Sequence, residues 1–507
     1  MILTIKNLGA LKEAEIDLNK DLILLCGHNN TGKTYVAYLI YDILHLSLGL
    51  KLYMSIQNLL GTSHERNSIS LPLVKSAEGK EIIFFAKQLI ENKKIEIDIS
   101  KFTKNLVFNL KNEIAKNIMK EISSENSLNN FFSKEILEKL SFELNYTEEF
   151  IKNNLRSSPV DEMIYWDGET RRIKAKKEKN SCKVIFELLE DLSLDEDLSL
   201  EFVTMQIYFS ILRICLNFSF RSFIFTSERE AIDIFSEELA LNNNNFFYKI
   251  LETNGETKTK LLEFVSSTII NRYPKPIVDG LFTAQDLINL QKEKSEFEFL
   301  AIELEKTILE GKISVGQNET LQYQPNFYTE NGENVVLEIY QTSSLVKSLA
   351  SLVFYLRHSA KKNDCIIIEE PELNLYPDNQ ILVARFLARL VNEGFKVVAT
   401  THSDYIIKEL STLLLLADSF KDKDRIMEKY GYTQNQILNK ENIGIYYFEK
   451  GKETAVNVPI TERGIEIESI DQTISDLNER FNTIYYTFLE SDEKKEEKRT
   501  EKNLKSN

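Results

Sequence analysis

A continuous apolar run, Leu22–Cys26, ends in Gly27-His28-Asn29-Asn30-Thr31-Gly32-Lys33-Thr34, and an apolar, aromatic stretch follows from Thr34 to Leu48. Apolar residues without polar alternation read as a strand buried on both faces. The stretch after the glycine loop reads as a helix. Strand, glycine loop and a Lys-Thr pair opening a helix form the pattern of a phosphate-binding loop. Its glycines let the backbone curl so that several N–H groups point inward at phosphate oxygens. The helix start adds the positive end of its dipole. Lys33 can reach the β- and γ-phosphates, and the Thr34 hydroxyl can ligate Mg²⁺, which prefers hard oxygen ligands. The nucleotide-binding residues are therefore expected to be Gly27, His28, Asn29, Asn30, Thr31, Gly32, Lys33 and Thr34, with Lys33 also catalytic.

Two further segments supply reactive groups. Cys365-Ile366-Ile367-Ile368-Glu369-Glu370-Pro371-Glu372 is an apolar strand ending in paired carboxylates. The first is expected to hold Mg²⁺ and the second to polarise the attacking water. That assigns Glu369 to the metal, with Thr34, and Glu370 to catalysis. Asp is usual at the first position. The extra methylene of Glu369 should push its carboxylate outward by about 1.5 Å. Val397-Val398-Ala399-Thr400-Thr401-His402-Ser403 is another strand, ending in a histidine that can touch the γ-phosphate. Between the loop and the glutamates, Ser343-Ser344-Leu345-Val346-Lys347-Ser348 opens a helix. Hydroxyls at a helix N-terminus either bind phosphate or simply cap the helix.

At 507 residues the chain is too long for one small core. The expected division is residues 1–50, 181–230 and 311–490 for the α/β part that carries these motifs. Helical insertions are expected at 51–180 and 231–310, and a charged, disordered tail at 491–507. Phe102, Leu106, Phe108, Leu110, Ile114, Ile118 and Ile122 set the helical spacing in the first insertion, and Trp166-Asp167-Gly168 signals a turn near its end. Alternation from Lys312 to Tyr340, with a turn at Asn331-Gly332, predicts antiparallel strands. A final helix is expected over Ile470–Leu489. The net charge of −16 argues against a mainly electrostatic nucleic-acid binder. The run Arg171, Arg172, Lys174, Lys176, Lys177, Lys179 either touches phosphates or is a solvated hairpin. Cys26, Cys182, Cys215 and Cys365 are spaced as reduced thiols rather than metal ligands. The N-terminus lacks a signal-peptide layout and no apolar run nears the roughly 20 residues that span a bilayer, so a cytoplasmic protein without membrane contact is expected.

In this order the four motif segments resemble the ABC-type ATPase heads of the structural-maintenance-of-chromosomes and overcoming-lysogenisation-defect (OLD) class. They are most similar to bacterial ATPases of the AAA_15 and AAA_21 type, many of them encoded in anti-phage defence loci. Residues 5–34, the segments EEPELNLYPDNQ and TTHSDYIIKEL, FTSERE at Phe225–Glu230 and GIEIESIDQTISDLNE carry that likeness. The resemblance implies an ABC-type ATPase head: a mixed β-sheet with a P-loop core and an antiparallel β subdomain, interrupted by the helical insertions. It implies ATP and Mg²⁺ as cofactors and a homodimer or higher homo-oligomer through the heads. Ser343 and Ser344 would contact the nucleotide held by the other copy, and Asn374 and Leu375 would cross the interface. Glu228 and Arg229 would lie near the site, Arg229 equally well as a salt-bridge partner. It implies a sensor or regulatory ATPase of anti-phage defence acting with a separate effector, a nuclease or toxin, and responding to a phage component or nucleic acid. A RecF-like DNA-repair ATPase and a nucleotide-gated scaffold with little turnover are the alternatives. A transporter's nucleotide-binding subunit fits poorly because the signature glycines are absent.

Overall fold

The apolar runs Leu22–Cys26, Cys365–Ile368 and Lys396–Thr400 become neighbouring strands of one sheet. The computed structural model describes residues 1–46, 77–102, 134–145, 149, 151–152, 155, 160–166, 171–189, 200–216, 221–235, 273–326, 335–467 and 475–489. The chain opens with β1 (Ile2–Leu8), β2 (Leu11–Asp17), β3 (Leu22–Gly27) and α1 (Lys33–Leu46). It continues through α2 (Ala77–Asn92), β4 (Lys94–Asp98), α3 (Lys134–Lys139), β5 (Ser141–Asn145), β6 (Val160–Trp166), β7 (Arg171–Lys177), β8 (Lys183–Leu189), α4 (Leu200–Leu216) and β9 (Ser222–Phe225). Then come α5 (Lys275–Gln285), α6 (Glu298–Leu304), β10 (Gly311–Val315), β11 (Leu321–Pro325), β12 (Leu337–Glu338), α7 (Ser344–His358), β13 (Cys365–Glu369) and α8 (Pro377–Asn392). The last elements of this unit, Met1–Asn457, are β14 (Lys396–Thr401), α9 (Asp404–Leu415), β15 (Ile443–Phe448) and β16 (Ala455–Asn457).

The main sheet has the order β16-β15-β3-β14-β13-β9. All of it is parallel except β16, which pairs antiparallel with β15. Every residue of β13, β14 and β15 is buried, which explains why these strands read as unbroken apolar runs. Ile23, Leu25, Ile367 and Val398 join the apolar cluster that includes α1. The alternate residue Ile368 instead lines a small cavity together with Leu349 and Leu352 of α7 and Val383, Phe386 and Leu387 of α8. In register, Glu369 lies beside Thr400 and Thr401 beside Cys26. The carboxyl ends of β3, β14 and β13 therefore finish along one edge, where open parallel sheets bind ligands.

Residues 51–180 do not form a purely helical insertion. α2 and α3 are helical as expected, but β4, β5, β6 and β7 fall in the same stretch. The reason is local: Ile95 and Ile97 are buried while Lys94 and Glu96 are exposed, and Phe142 and Leu144 alternate the same way, so a period of two prevails. β5 becomes the third strand of the sheet β2-β1-β5, with Phe142 opposite Ile5. The others form the sheet β4-β8-β7-β6. One apolar cluster runs from β1 and β2 through α1 to α2, β4, β8 and α4. The helical spacing read from Leu106 to Ile122 lies outside the described residues, as do Asp167-Gly168 and Asn331-Gly332. In 231–310 the described elements are helical, and β10-β11-β12 is antiparallel as the alternation predicts.

The second unit, Val458–Asn507, holds a small hairpin of β17 (Ile460–Thr461) and β18 (Gly464–Ile465) and a helix over 475–489. The tail 491–507 lies outside the described residues. Among the described residues no helix is long and apolar enough to cross a membrane.

Candidate nucleotide site

The loop between β3 and α1 adopts backbone angles that only certain residues tolerate. Gly27 has φ +127, and a Cβ there would lie 2.2 Å from Phe448 O, so nothing but glycine fits. Asn30 at φ +62 and Gly32 at φ +98 complete the curl. Lys33 is 5% exposed. Its Nζ donates to Gly27 O at 3.1 Å and His28 O at 2.6 Å, across the mouth of the loop. Burial lowers its ammonium to about 8, against the opposing pull of Glu370. Asn29 and Asn30 are exposed, and the Thr31 hydroxyl donates to His28 O at 2.8 Å. The His28 ring lies 3.1 Å from the Tyr447 hydroxyl at Nδ1.

Glu369, at the end of β13, is 1% exposed, so its extra methylene does not carry the carboxylate out to solvent. Instead the carboxylate meets the Thr34 hydroxyl, and Oε2 accepts from Ser227 N at 3.2 Å. Oε1 is buried with no hydrogen-bond partner among the described residues. Burial lifts this carboxyl to about 7. An orphaned carboxylate oxygen beside a threonine hydroxyl is a site with hard oxygen donors only, and two protein ligands leave room for water and phosphate oxygens, as Mg²⁺ requires. Among the described residues no cluster of three or more His, Cys, Asp or Glu side chains offers a competing metal site.

Glu370 has φ +43, a conformation that costs a non-glycine residue about 1–3 kcal/mol. Its N–H donates to Thr400 O and to Thr400 Oγ1, both at 3.1 Å. Its Oε1 lies 3.2 Å from His402 Nε2, and that hydrogen bond holds its carboxyl below the usual range. Glu372, to which the paired-carboxylate motif gives no role, fixes the histidine: its Oε1 accepts from His402 N and Thr401 Oγ1, each at 2.7 Å. Its recurrence two residues after the pair was the available signal.

The expected site residues thus divide. Lys33, Thr34, Glu369, Glu370 and His402 converge on one sheet edge. Ser343 and Ser344 are exposed at the start of α7, and among the described residues neither bonds to the loop. Ser343 caps the helix through Val346 N, and Ser344 Oγ donates to Asn374 O at 3.4 Å. Asn374 is exposed, but Leu375 is buried in its own chain, which corrects the expectation that it crosses an interface. Arg229 is buried against main-chain carbonyls and forms no ion pair among the described residues, so it is not a salt-bridge partner. Of the basic run, the side chains of Arg171 and Arg172 lie outside the described residues. Lys177 is buried on Glu178 O and Ser181 O, and Lys94–Glu187 and Lys183–Glu96 ion pairs mix the charge of that sheet. Cys26 and Cys365 are buried free thiols pushed up to about 12 by burial.

Asp233, behind Arg229, accepts a hydrogen bond from Ser351 Oγ, and burial lifts its carboxyl to about 7 from 3.8. A carboxyl raised by folding contributes stability that is whole below its unfolded value and is lost as pH rises through the folded value. Asp233→Asn is predicted to melt a few degrees higher than wild type at pH 8, the gap narrowing as pH falls toward 4. Scanning calorimetry across that range checks this; a variant that melts lower at pH 8 counts against it.

The profile of AAA_15, described as an AAA ATPase domain, matches residues 1–407. Among solved structures, the Smc head domain with an extended coiled coil bound to the C-terminal domain of ScpA, from Pyrococcus furiosus, is similar at 13% identity and a TM-score of 0.29, over 94% of this chain and 98% of that one. The SmcHead bound to the C-winged helix domain of ScpA is similar at 11% identity and a TM-score of 0.32, over 91% and 98%. The SMC head domain from Thermotoga maritima is similar at 10% identity and a TM-score of 0.29, over 91% and 98%. No curated protein matches the chain in sequence.

Proposed function

We propose that this chain, which belongs to the AAA_15 family of AAA ATPase domains, binds and hydrolyses ATP at the carboxyl edge of its parallel sheet, between two copies of itself. The observation that carries the reading is the convergence there of Lys33, the Thr34–Glu369 pair and the Glu370–His402 pair. Loop amides and Lys33 seat the phosphates. Thr34 and Glu369 would hold Mg²⁺, which would supply charge neutralisation to the phosphates. Glu370 takes a proton from the attacking water. His402, anchored by Glu372, keeps the Glu370 carboxylate aimed and meets the γ-phosphate.

What one copy leaves unfilled supports the dimer. The start of α7 presents Ser343 and Ser344 to solvent rather than to its own loop, and a helix N-terminus suits the γ-phosphate held by a second copy. By the resemblance drawn from the sequence, the heads serve in the cytosol as the sensor or regulatory ATPase of anti-phage defence. A separate nuclease or toxin acts as effector, and a phage component or nucleic acid is the trigger. Glu370→Gln, loaded with ATP and Mg²⁺, is predicted to run as a dimer in size exclusion with light scattering. Adding Ser344→Arg should return it to monomer with ATP still bound. An ATP-loaded Glu370→Gln protein that stays monomeric at every concentration contradicts the dimer.

A further inference from the structure

The segment Ser227–Asp233, just past β9, touches three elements of the site. Arg229 directs its whole guanidinium at main-chain carbonyls. Its Nε donates to Ser348 O at 2.8 Å, and its Nη1 to Thr226 O at 3.0 Å and Glu369 O at 2.7 Å. Its Nη2 donates to Glu370 O at 2.9 Å. The fork thus ties α7 to the backbone of both glutamates, a geometry that a lysine ammonium cannot reproduce. The next residue, Glu230, accepts at Oε1 from Asn374 Nδ2 at 2.9 Å and from the Ser348 hydroxyl. Ser351 donates to Asp233, and Ser344 to Asn374 O. Ser344, Ser348 and Ser351 stand at i, i+4 and i+7, so one face of α7 is hydrogen-bonded to this segment and to the loop after the glutamates.

That face has an outward end and an inward end. Ser344 and Asn374 are exposed. Ser348, Arg229 and Glu369 are buried, and Glu370 is held at φ +43 by Arg229 from one side and Thr400 from the other. We propose that Arg229 and Glu230 are positioning residues that transmit engagement of Ser344 and Asn374 by a second copy to the backbone of Glu370. The proposal rests on reading Glu370 as the base and the start of α7 as the contact between copies. When Asn374 is fixed, Glu230 holds Ser348, and Arg229 keeps the Glu370 peptide in its left-handed conformation with the carboxylate toward the nucleotide. When that chain of bonds is loosened, Glu370 relaxes to an ordinary φ and the carboxylate leaves the line of attack.

The test compares the full-length wild type with Arg229→Lys, Glu230→Ala and Glu230→Gln. It measures steady-state phosphate release and hydrogen exchange of the peptide spanning 369–375. Arg229→Lys and Glu230→Ala are expected to lower kcat at least tenfold with KM within threefold. Exchange in 369–375 should quicken at least tenfold while that in β3 stays at the wild-type rate. Glu230→Gln, which keeps an acceptor for Asn374 and Ser348, should recover most of kcat. Wild-type exchange at 369–375 in both damaging variants overturns the relay, as does a rise in KM at unchanged kcat. A wild type that releases no phosphate sinks the ATPase reading instead, and the exchange comparison still decides the relay. A failure of Arg229→Lys to fold leaves Glu230→Ala, a half-buried position, to decide it alone.

Discussion

Glu370→Gln is predicted to release phosphate about a thousandfold more slowly than wild type, with ATP affinity changed only a few fold. The amide has the shape of the carboxylate but cannot accept the proton of the attacking water. The wild-type side chain suits that task. Its hydrogen bond with His402 holds the carboxyl below the usual range, so it is ionised throughout the neutral region. By the same sign, protonation of Glu370 itself lowers turnover as pH drops through that lowered value, well on the acid side of neutrality. Affinity changes little because Glu370 neither belongs to the loop nor pairs with Thr34. Single-turnover phosphate release at saturating ATP and Mg²⁺ checks this. Wild-type turnover in the variant contradicts the assignment of the base, and a scaffold that binds but barely hydrolyses becomes the better description.

Lys33→Ala is expected to weaken ATP binding about a hundredfold, close to 3 kcal/mol, the upper range for hydrogen bonds to charged groups. The ammonium is already desolvated and held across the loop by Gly27 O and His28 O, so little further ordering is needed when phosphate oxygens replace those carbonyls. Its lowering to about 8 by burial gives a second signature. Phosphates favour the protonated lysine. Above pH 8 the free protein must take up a proton to bind, and wild-type affinity falls as pH rises. The alanine variant lacks that slope. Equilibrium binding at pH 7 and pH 9 separates the two, and a variant that keeps wild-type affinity excludes Lys33 from the site.

The strands that deliver the chemistry were legible because each is buried on both faces and therefore runs apolar without interruption, as in Leu22–Cys26 and Cys365–Ile368. The loop was legible because Gly27 and Gly32 occupy backbone angles that few other residues reach. Other features depend on contacts distant in sequence. Nothing local says that β14 lies between β3 and β13, yet that order brings His402 to Glu370. Residues 94–98 and 141–145 are short alternating segments among charged residues, and helical spacing nearby outweighed their period of two. Arg229 reads as a salt-bridge candidate until its four carbonyl partners, drawn from three elements, are seen. Motif position alone points Leu375 outward, and its burial follows from packing that the motif does not encode. The serines at 344, 348 and 351 were visible at helical spacing, but only the fold supplies Glu230 and Asp233 opposite them.

Calorimetric titration of the folded wild-type chain with ATP and Mg²⁺, alongside Lys33→Ala, addresses the site most directly. One nucleotide should bind per chain, with the affinity greatly reduced in the variant. A folded wild type that takes up no nucleotide, or a variant that binds as well as its parent, would mean that the loop after β3 does not hold a triphosphate.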